Sequence, residues 1–240
     1  MQPSSHTPTA NRLVDSLPGR ERDLLVASSE TVELVFGEVL VAADEPLSHV
    51  YFPQTSVISL IASLNDGERL EVAMAGSEGM FGVSLILGVG TSPLLALVQG
   101  GGSALRIPAA GFQHLLAGSP VLQGLLNRYL HVLMHQLART AACSHFHPVE
   151  ARLARWLLMT QDRTHTEMLH LTHEFLAMML GVRRAGITLA AMSLQGRELI
   201  SYHRGDISVI DRAGLIEASC GCYAVDRSIY RGVITEGEAP

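Results

Sequence analysis

The sequence predicts an α+β chain: a roll of short strands, then one long helix, then a helical unit closed by a strand hairpin. Three observations carry this. Between residues 31 and 108, short β-branched runs alternate with Pro, Gly, Asn and Asp. From Ser119 onward, leucines recur at helical spacing. The stretch LTHEFLAMMLGVRRAGITLAAMSLQ (171–195) reads as helix but is broken by Gly181, with two arginines just after.

The chain of 240 residues divides on these grounds into a roll (1–118), a long helix and hinge (119–147) and a C-terminal unit (148–240). A hydrophobic share of 48% and a charged share of 17% belong to a globular protein. No apolar run reaches the roughly 18 to 20 residues that span a bilayer. The start, MQPSSHTPTANR, lacks a basic segment followed by an apolar one, so a cytoplasmic protein without a membrane partner is expected.

Residues 12–30 read as a short helical preface. TVELVFGEVLVA (31–42), HVYFP (49–53), SVISLIAS (56–63), RLEVAMA (69–75), LLALVQ (94–99) and SALRIP (103–108) read as strands. Asn65-Asp66-Gly67 suits a hairpin turn because these residues tolerate positive φ. So many short strands suggest a roll or barrel, whose closure removes exposed strand edges.

Ser119 is a good N-cap, and Pro120 is tolerated in a first helical turn. The stripe Leu122, Leu125, Leu126, Tyr129, Leu130, Leu133 and Leu137 predicts a helix of roughly 36 Å at 1.5 Å per residue. Its width calls for a partner subunit, so Leu122, Leu126, Tyr129, Leu130, Leu133 and Leu137 are the expected dimer contacts. His147-Pro148 then breaks the chain, and PVEARLARWLLMTQD (148–162) is a further amphipathic helix.

Thr172 caps a helix HEFLAMML, and Gly181 supplies the left-handed turn that ends it. Arg183 starts a second helix, with Ile187, Leu189, Ala190 and Leu194 available for its inner face. Helix, tight turn and second helix form the plan that places a helix start in the DNA major groove. Arg183, Arg184 and Thr188 would then face a duplex. LISYHRGDISVID (199–211) reads as a hairpin wing with His203 and Arg204 at its tip.

The net charge of −6 opposes DNA binding on average, but its distribution does not. Residues 1–147 hold 7 arginines against 12 carboxylates, whereas 171–204 hold 4 against 2. The chain has no lysine, so every fixed cation is a guanidinium, the better group for forked phosphate or guanine contacts. Codon bias in a GC-rich genome gives the same composition.

The order roll, long helix, helix-turn-helix, wing resembles the Crp/Fnr regulators of bacterial transcription. LTHEFLAMMLGVRR, LISYHRGDISVIDRAGL and GSEGMFG (76–82) carry the resemblance, which covers nearly the whole chain. The chain is similar in particular to a subgroup ending in Cys-x-Cys-Tyr, here Cys220-Gly221-Cys222-Tyr223. The resemblance implies a cyclic-nucleotide-binding-like roll, a homodimer on two-fold DNA, and Thr172 and His173 at phosphates. RNA polymerase and an unknown small-molecule effector are the further partners it implies, with Glu78, Gly79, Phe81 and Gly82 marking a degenerate effector pocket.

Two departures stand out. Cyclic-nucleotide-binding members carry Phe-Gly-Glu and, further on, an arginine for the phosphate. Here the segment is Phe81-Gly82-Val83, and residues 84–99 hold no arginine. A buried phosphate without a cation is costly, so cyclic AMP is not expected to bind. With no cysteine before Cys143, an N-terminal iron–sulfur cluster is not expected either. In the reading helix, Arg183 and Ala185 stand where the family often has a hydroxyl residue and an acid. The lost cap costs about 1 kcal/mol, and Gly186 costs about as much again.

Other chemistry is sparse. His131, His135, His145 and His147 lie close to Cys143 in sequence, a set that could hold zinc or haem. Spacing alone does not join them, and surface or interface histidines with no metal are expected. Cys220 and Cys222 could be a redox switch or half a metal site; a packed turn after the wing is the simpler reading. Met74, Met80, Met178, Met179 and Met192 read as core filler. The alternative function is a cupin-like small-molecule or metal-binding roll whose C-terminal helices only dimerise it. Its strands would need His and Glu ligands, and His49 is the single histidine between 31 and 108. No catalytic arrangement is legible, so an enzyme is not expected.

Overall fold

A computed structural model of the chain describes residues 9–64, 67–164 and 168–235. Helices α1 (Arg12–Asp15) and α2 (Gly19–Ala27) precede strands β1 (Glu30–Leu34), β2 (Val39–Val41), β3 (His49–Pro53), β4 (Val57–Ser63) and β5 (Arg69–Ala75). A 3₁₀ turn (Val83–Leu87) leads to β6 (Leu95–Gly100) and β7 (Gly102–Pro108). Helices α3 (Ala109–Gly118), α4 (Pro120–Phe146) and α5 (Val149–Thr164) follow. Strand β8 (Met168–His170), helices α6 (His173–Leu180) and α7 (Arg184–Gly196), strands β9 (Ile200–His203) and β10 (Asp206–Val209), then α8 (Arg212–Ala218) and α9 (Cys222–Tyr230) complete the order.

The roll is two antiparallel sheets, β1-β7-β3 and β2-β6-β4-β5. The sequence-level strands match these within one or two residues at most ends, except that the run 31–42 divides into β1 and β2; α3, β8, α8 and α9 are additions. The expected turn at Asn65-Asp66 lies outside the described residues, though β4 and β5 on either side pair as a hairpin would. The roll does not close into a barrel. Its edge strand β5 is instead covered by α4 and α6, another way to protect unpaired backbone.

Two cores result. Both sheets, α1 to α4 and the 3₁₀ turn enclose the first, which includes Phe52, Ile107, Phe112 and Leu126. The second lies between the outer face of β4–β5 and the C-terminal helices, where Val57, Ile61 and Met74 meet Leu153, Leu157, Leu176 and Ile187. Strand β4 is therefore buried on both faces, which explains why its apolar residues run on rather than alternate. The buried Asn11 ties the N-terminal segment down: it caps α1 at Val14 N–H and donates to the carbonyls of Pro53 (2.7 Å) and Gly79 (3.0 Å).

Helix α4 has 27 residues, about 40 Å at 1.5 Å per residue. Ser119 Oγ accepts from Leu122 N–H (3.2 Å), as its N-cap role requires. The expectation for the leucine stripe is corrected here. Leu122, Leu125, Leu126, Tyr129 and Leu133 are buried in the chain's own roll core, and Leu130 and Leu137 pack against it. Leu122, Leu126, Tyr129 and Leu133 are therefore not a free dimer surface, whereas Leu130 and Leu137 are only half-buried. The outward seam is Gly124, Asn127, His131, Met134, Ala138, Ala141 and His145, which alternates steps of three and four. All but the half-buried Gly124 are exposed, and Met134 is 66% exposed. No single helix among the described residues is long and apolar enough to cross a membrane.

Candidate nucleic-acid interface

Helices α6 and α7 are bent by 108° about Gly181. Thr172 Oγ1 accepts from Phe175 N–H (3.1 Å), which caps α6. Gly181 takes φ +60°, the left-handed conformation that a side chain disfavours. Val182 N–H returns to the Ala177 carbonyl (3.0 Å) and closes the turn. Arg183 is the N-cap of α7 rather than its first residue, with extended backbone and no side-chain cap bond. Helix α7 thus opens without a side-chain cap, as the missing hydroxyl residue implied.

Arg183 and Arg184 are exposed side by side at this opening. The wing is a three-stranded sheet in the order β8-β10-β9. Its tip holds Arg204 (φ +52°) and Gly205 (φ +95°), the mirror-type two-residue turn that suits the strand twist. His203 and Arg204 are exposed there. Among the described residues, Arg183, Arg184 and Arg204 form no ion pair, unlike Arg197, which meets Glu150 at 2.9 Å.

Two of the sequence-level contact residues are internal struts. The His173 ring stacks on Tyr202 at 4.5 Å and so ties α6 to the wing. Its Nδ1 meets Thr188 Oγ1 at 3.0 Å, and Thr188 also donates to the Arg184 carbonyl (3.1 Å). Burial and the nearby Arg184 charge hold His173 below its ordinary pKa, so it acts as a neutral spacer. Two further assignments are corrected. Leu189 is not on the inner face but 69% exposed, and Met192 is 65% exposed rather than core filler. The inner face is Ile187, Ala190, Ala191 and Leu194. A helix turning 100° per residue sets Leu189 and Met192 on the flank bearing Ala185, where they offer apolar contact beside the arginines.

The supposed pocket residues of the roll are mostly packed. Phe81 exchanges backbone bonds with Tyr51 (2.8 and 3.1 Å), Gly82 (φ +99°) lies under Val50, and Gly79 lies under the Tyr129 hydroxyl. Glu78 alone faces a large space, a cleft of about 1040 Å³ between roll and C-terminal unit. Its carboxylate is held by Arg163 of α5 at 2.6 Å, so it serves as a joint between the two units. The contact continues elsewhere: Phe36 of the roll meets Phe175 of α6 at 5.5 Å between centroids.

Residues 151–218 match the family described as the Crp-like helix-turn-helix domain. The chain has the Crp/Fnr fold. Its solved likenesses include FixK2 from Bradyrhizobium japonicum, with 16% identity and a TM-score of 0.68, covering 80% of this chain and 98% of that one. The c-di-GMP-responsive global regulator CLP from Xanthomonas campestris shares 17% identity with a TM-score of 0.65, covering 80% and 99%. A Crp/Fnr-family transcriptional regulator from Thermus thermophilus shares 22% with a TM-score of 0.63, covering 79% and 98%. No curated protein matches. At such identities the Crp/Fnr likeness concerns fold, while the domain match concerns the helix-turn-helix itself.

Proposed function

We propose that this Crp/Fnr-fold chain is a homodimeric transcriptional regulator that reads duplex DNA with the start of α7. The carrying observation is the unpaired, exposed Arg183-Arg184 at the uncapped opening of a Crp-like helix-turn-helix. Guanidinium forks suit guanine O6 and N7, or phosphate oxygens. Arg204 and His203 at the wing tip add backbone contacts, and Thr172 lies at the exposed start of α6. Two such units meet through the outward seam of α4, where Gly124, Ala138 and Ala141 allow close approach of a second helix.

Control by cyclic AMP does not suit this roll. The Phe81-Gly82 segment is packed and no arginine follows it in 84–99. The reading assigns the chain no catalytic activity. Selection of binding sites from random duplex DNA tests it, with an Arg183→Ala, Arg184→Ala double variant alongside. A two-fold-symmetric motif lost in the variant is expected. Failure to enrich any motif, both alone and with cell extract present, would overturn the reading.

A further inference from the structure

The end of α4 and the start of α9 bring together four ligand-type side chains that sequence spacing keeps apart. Cys143 lies in the last turn of α4 and His147 caps that helix. Cys220 and Cys222 flank Gly221 at the opening of α9. One ligand atom from each lies within 4.8 Å of all the others. The three cysteines are buried, at 2%, 7% and 5% exposure, and His147 is half-buried.

We infer that Cys143, His147, Cys220 and Cys222 form a structural zinc site that clamps the long helix to the C-terminal unit. The geometry fits a tetrahedral ion. With Zn–S about 2.3 Å and Zn–N about 2.0–2.1 Å, tetrahedral angles set sulfurs about 3.8 Å apart and sulfur and nitrogen about 3.6 Å apart. The Cys143 and Cys220 sulfurs stand 3.5 Å apart, and Cys222 Sγ is 3.7 Å from His147 Nδ1. A disulfide needs sulfurs at about 2.05 Å. Three sulfurs and one imidazole, all from the protein, make the closed set typical of structural zinc.

The local sequence explains the convergence. Cys143 and His147 are four apart, on one face of a helical turn. Pro148 forces His147 into extended backbone (φ −109°, ψ 143°), and its N–H bonds the Cys143 carbonyl at 3.1 Å. The Cys220 carbonyl accepts from Tyr223 N–H (3.2 Å), a turn that lets Cys220 and Cys222 approach from one side. Binding displaces three thiol protons: Zn²⁺ plus three thiols and neutral His147 gives a complex of charge −1 and three H⁺. Arg152 and Arg155 border the same hollow as Cys143 and offset that charge. The clamp spans the His147-Pro148 hinge, so it fixes how the helix-turn-helix hangs from α4.

The test uses the full chain purified under reductant with no chelator and no added metal. Elemental mass spectrometry is expected to find one zinc per chain. Cys220→Ser, Cys222→Ser and His147→Ala should each lose it, while His145→Ala keeps it. Should those variants fail to fold, two measurements on the unaltered chain decide. Titration with a mercurial should release zinc in step with the loss of three thiols. Exchange with Co(II) should give thiolate charge-transfer and tetrahedral d–d bands. Iron or no metal in the purified chain overturns the inference, as does a Cys143–Cys220 disulfide in peptide maps.

Discussion

Replacing Glu71 by Gln is expected to remove a pH dependence of stability that this one buried carboxyl creates. Glu71 is 6% exposed and lies in β5 where the roll meets α5. Its Oε1 accepts from Trp156 Nε1 (2.8 Å), and its Oε2 is 2.5 Å from Ser59 Oγ. Ser59 Oγ is also 2.8 Å from Gln99 Oε1, and Gln99 Nε2 donates to Thr160 Oγ1 (2.8 Å). A serine hydroxyl has a single proton and cannot serve two acceptors. With Gln99 so oriented, a protonated Glu71 donates to Ser59, which donates onward to Gln99. Burial drives this carboxyl up from 4.5 to about 7, against the opposing pull of the Ser59 and Trp156 bonds and the Arg163 and Arg155 charges.

The native state therefore holds a proton that the unfolded chain has released between pH 4.5 and about 7. Stability from this group is full below pH 4.5 and is lost as pH rises through 7. At about 1.4 kcal/mol per tenfold change in proton affinity, the loss is on the order of 3 kcal/mol. Urea unfolding of the native chain and Glu71→Gln at intervals from pH 5 to 8 measures it, since other titrations cancel in the difference. The variant should gain on the native chain as pH rises from 5 to about 7 and level off above that. Parallel stability curves would refute the assignment of a buried, protonated Glu71.

Other outcomes follow from the same geometry. Arg183→Ala with Arg184→Ala should weaken binding to a selected operator at least roughly thirtyfold, from about 1–3 kcal/mol per forked contact. Fluorescence anisotropy at two salt concentrations reads it, and unfolding midpoints should not move because both side chains are exposed. Gly181→Ala should cost about 1–2 kcal/mol, because φ +60° disfavours a side chain and the new methyl meets Leu70 Cδ1 at 3.0 Å; chemical denaturation checks it. Leu126→Ala should destabilise the fold by about 2–5 kcal/mol, since the side chain is fully buried in the roll core. Met134→Glu should leave the fold intact and convert the proposed dimer to monomer in sedimentation velocity, whereas a dimer that persists in the variant would place the interface elsewhere.

The sequence by itself determined every element whose signal is local. Thr172 as a cap, Gly181 as a left-handed turn, Ser119-Pro120 as a helix start and Arg204-Gly205 as a wing tip rest on backbone preferences of single residues. So do most strand limits, because Pro and Gly interrupt pairing wherever they fall. Tertiary structure decided what those elements cover. The period of α4 marks an apolar stripe but not the neighbour that buries it, so the leucines went to the roll and the small-residue seam was left outward. Leu189 follows the same logic, since an apolar residue one position off the inner row looks alike on paper. The joints between the units, Glu71 with Trp156 and Glu78 with Arg163, join residues 85 apart in each case. Cys143 and Cys220 meet across 77 residues. Such meetings depend on how whole elements pack, because burial energy depends on the surface opposite, and no local pattern records that surface.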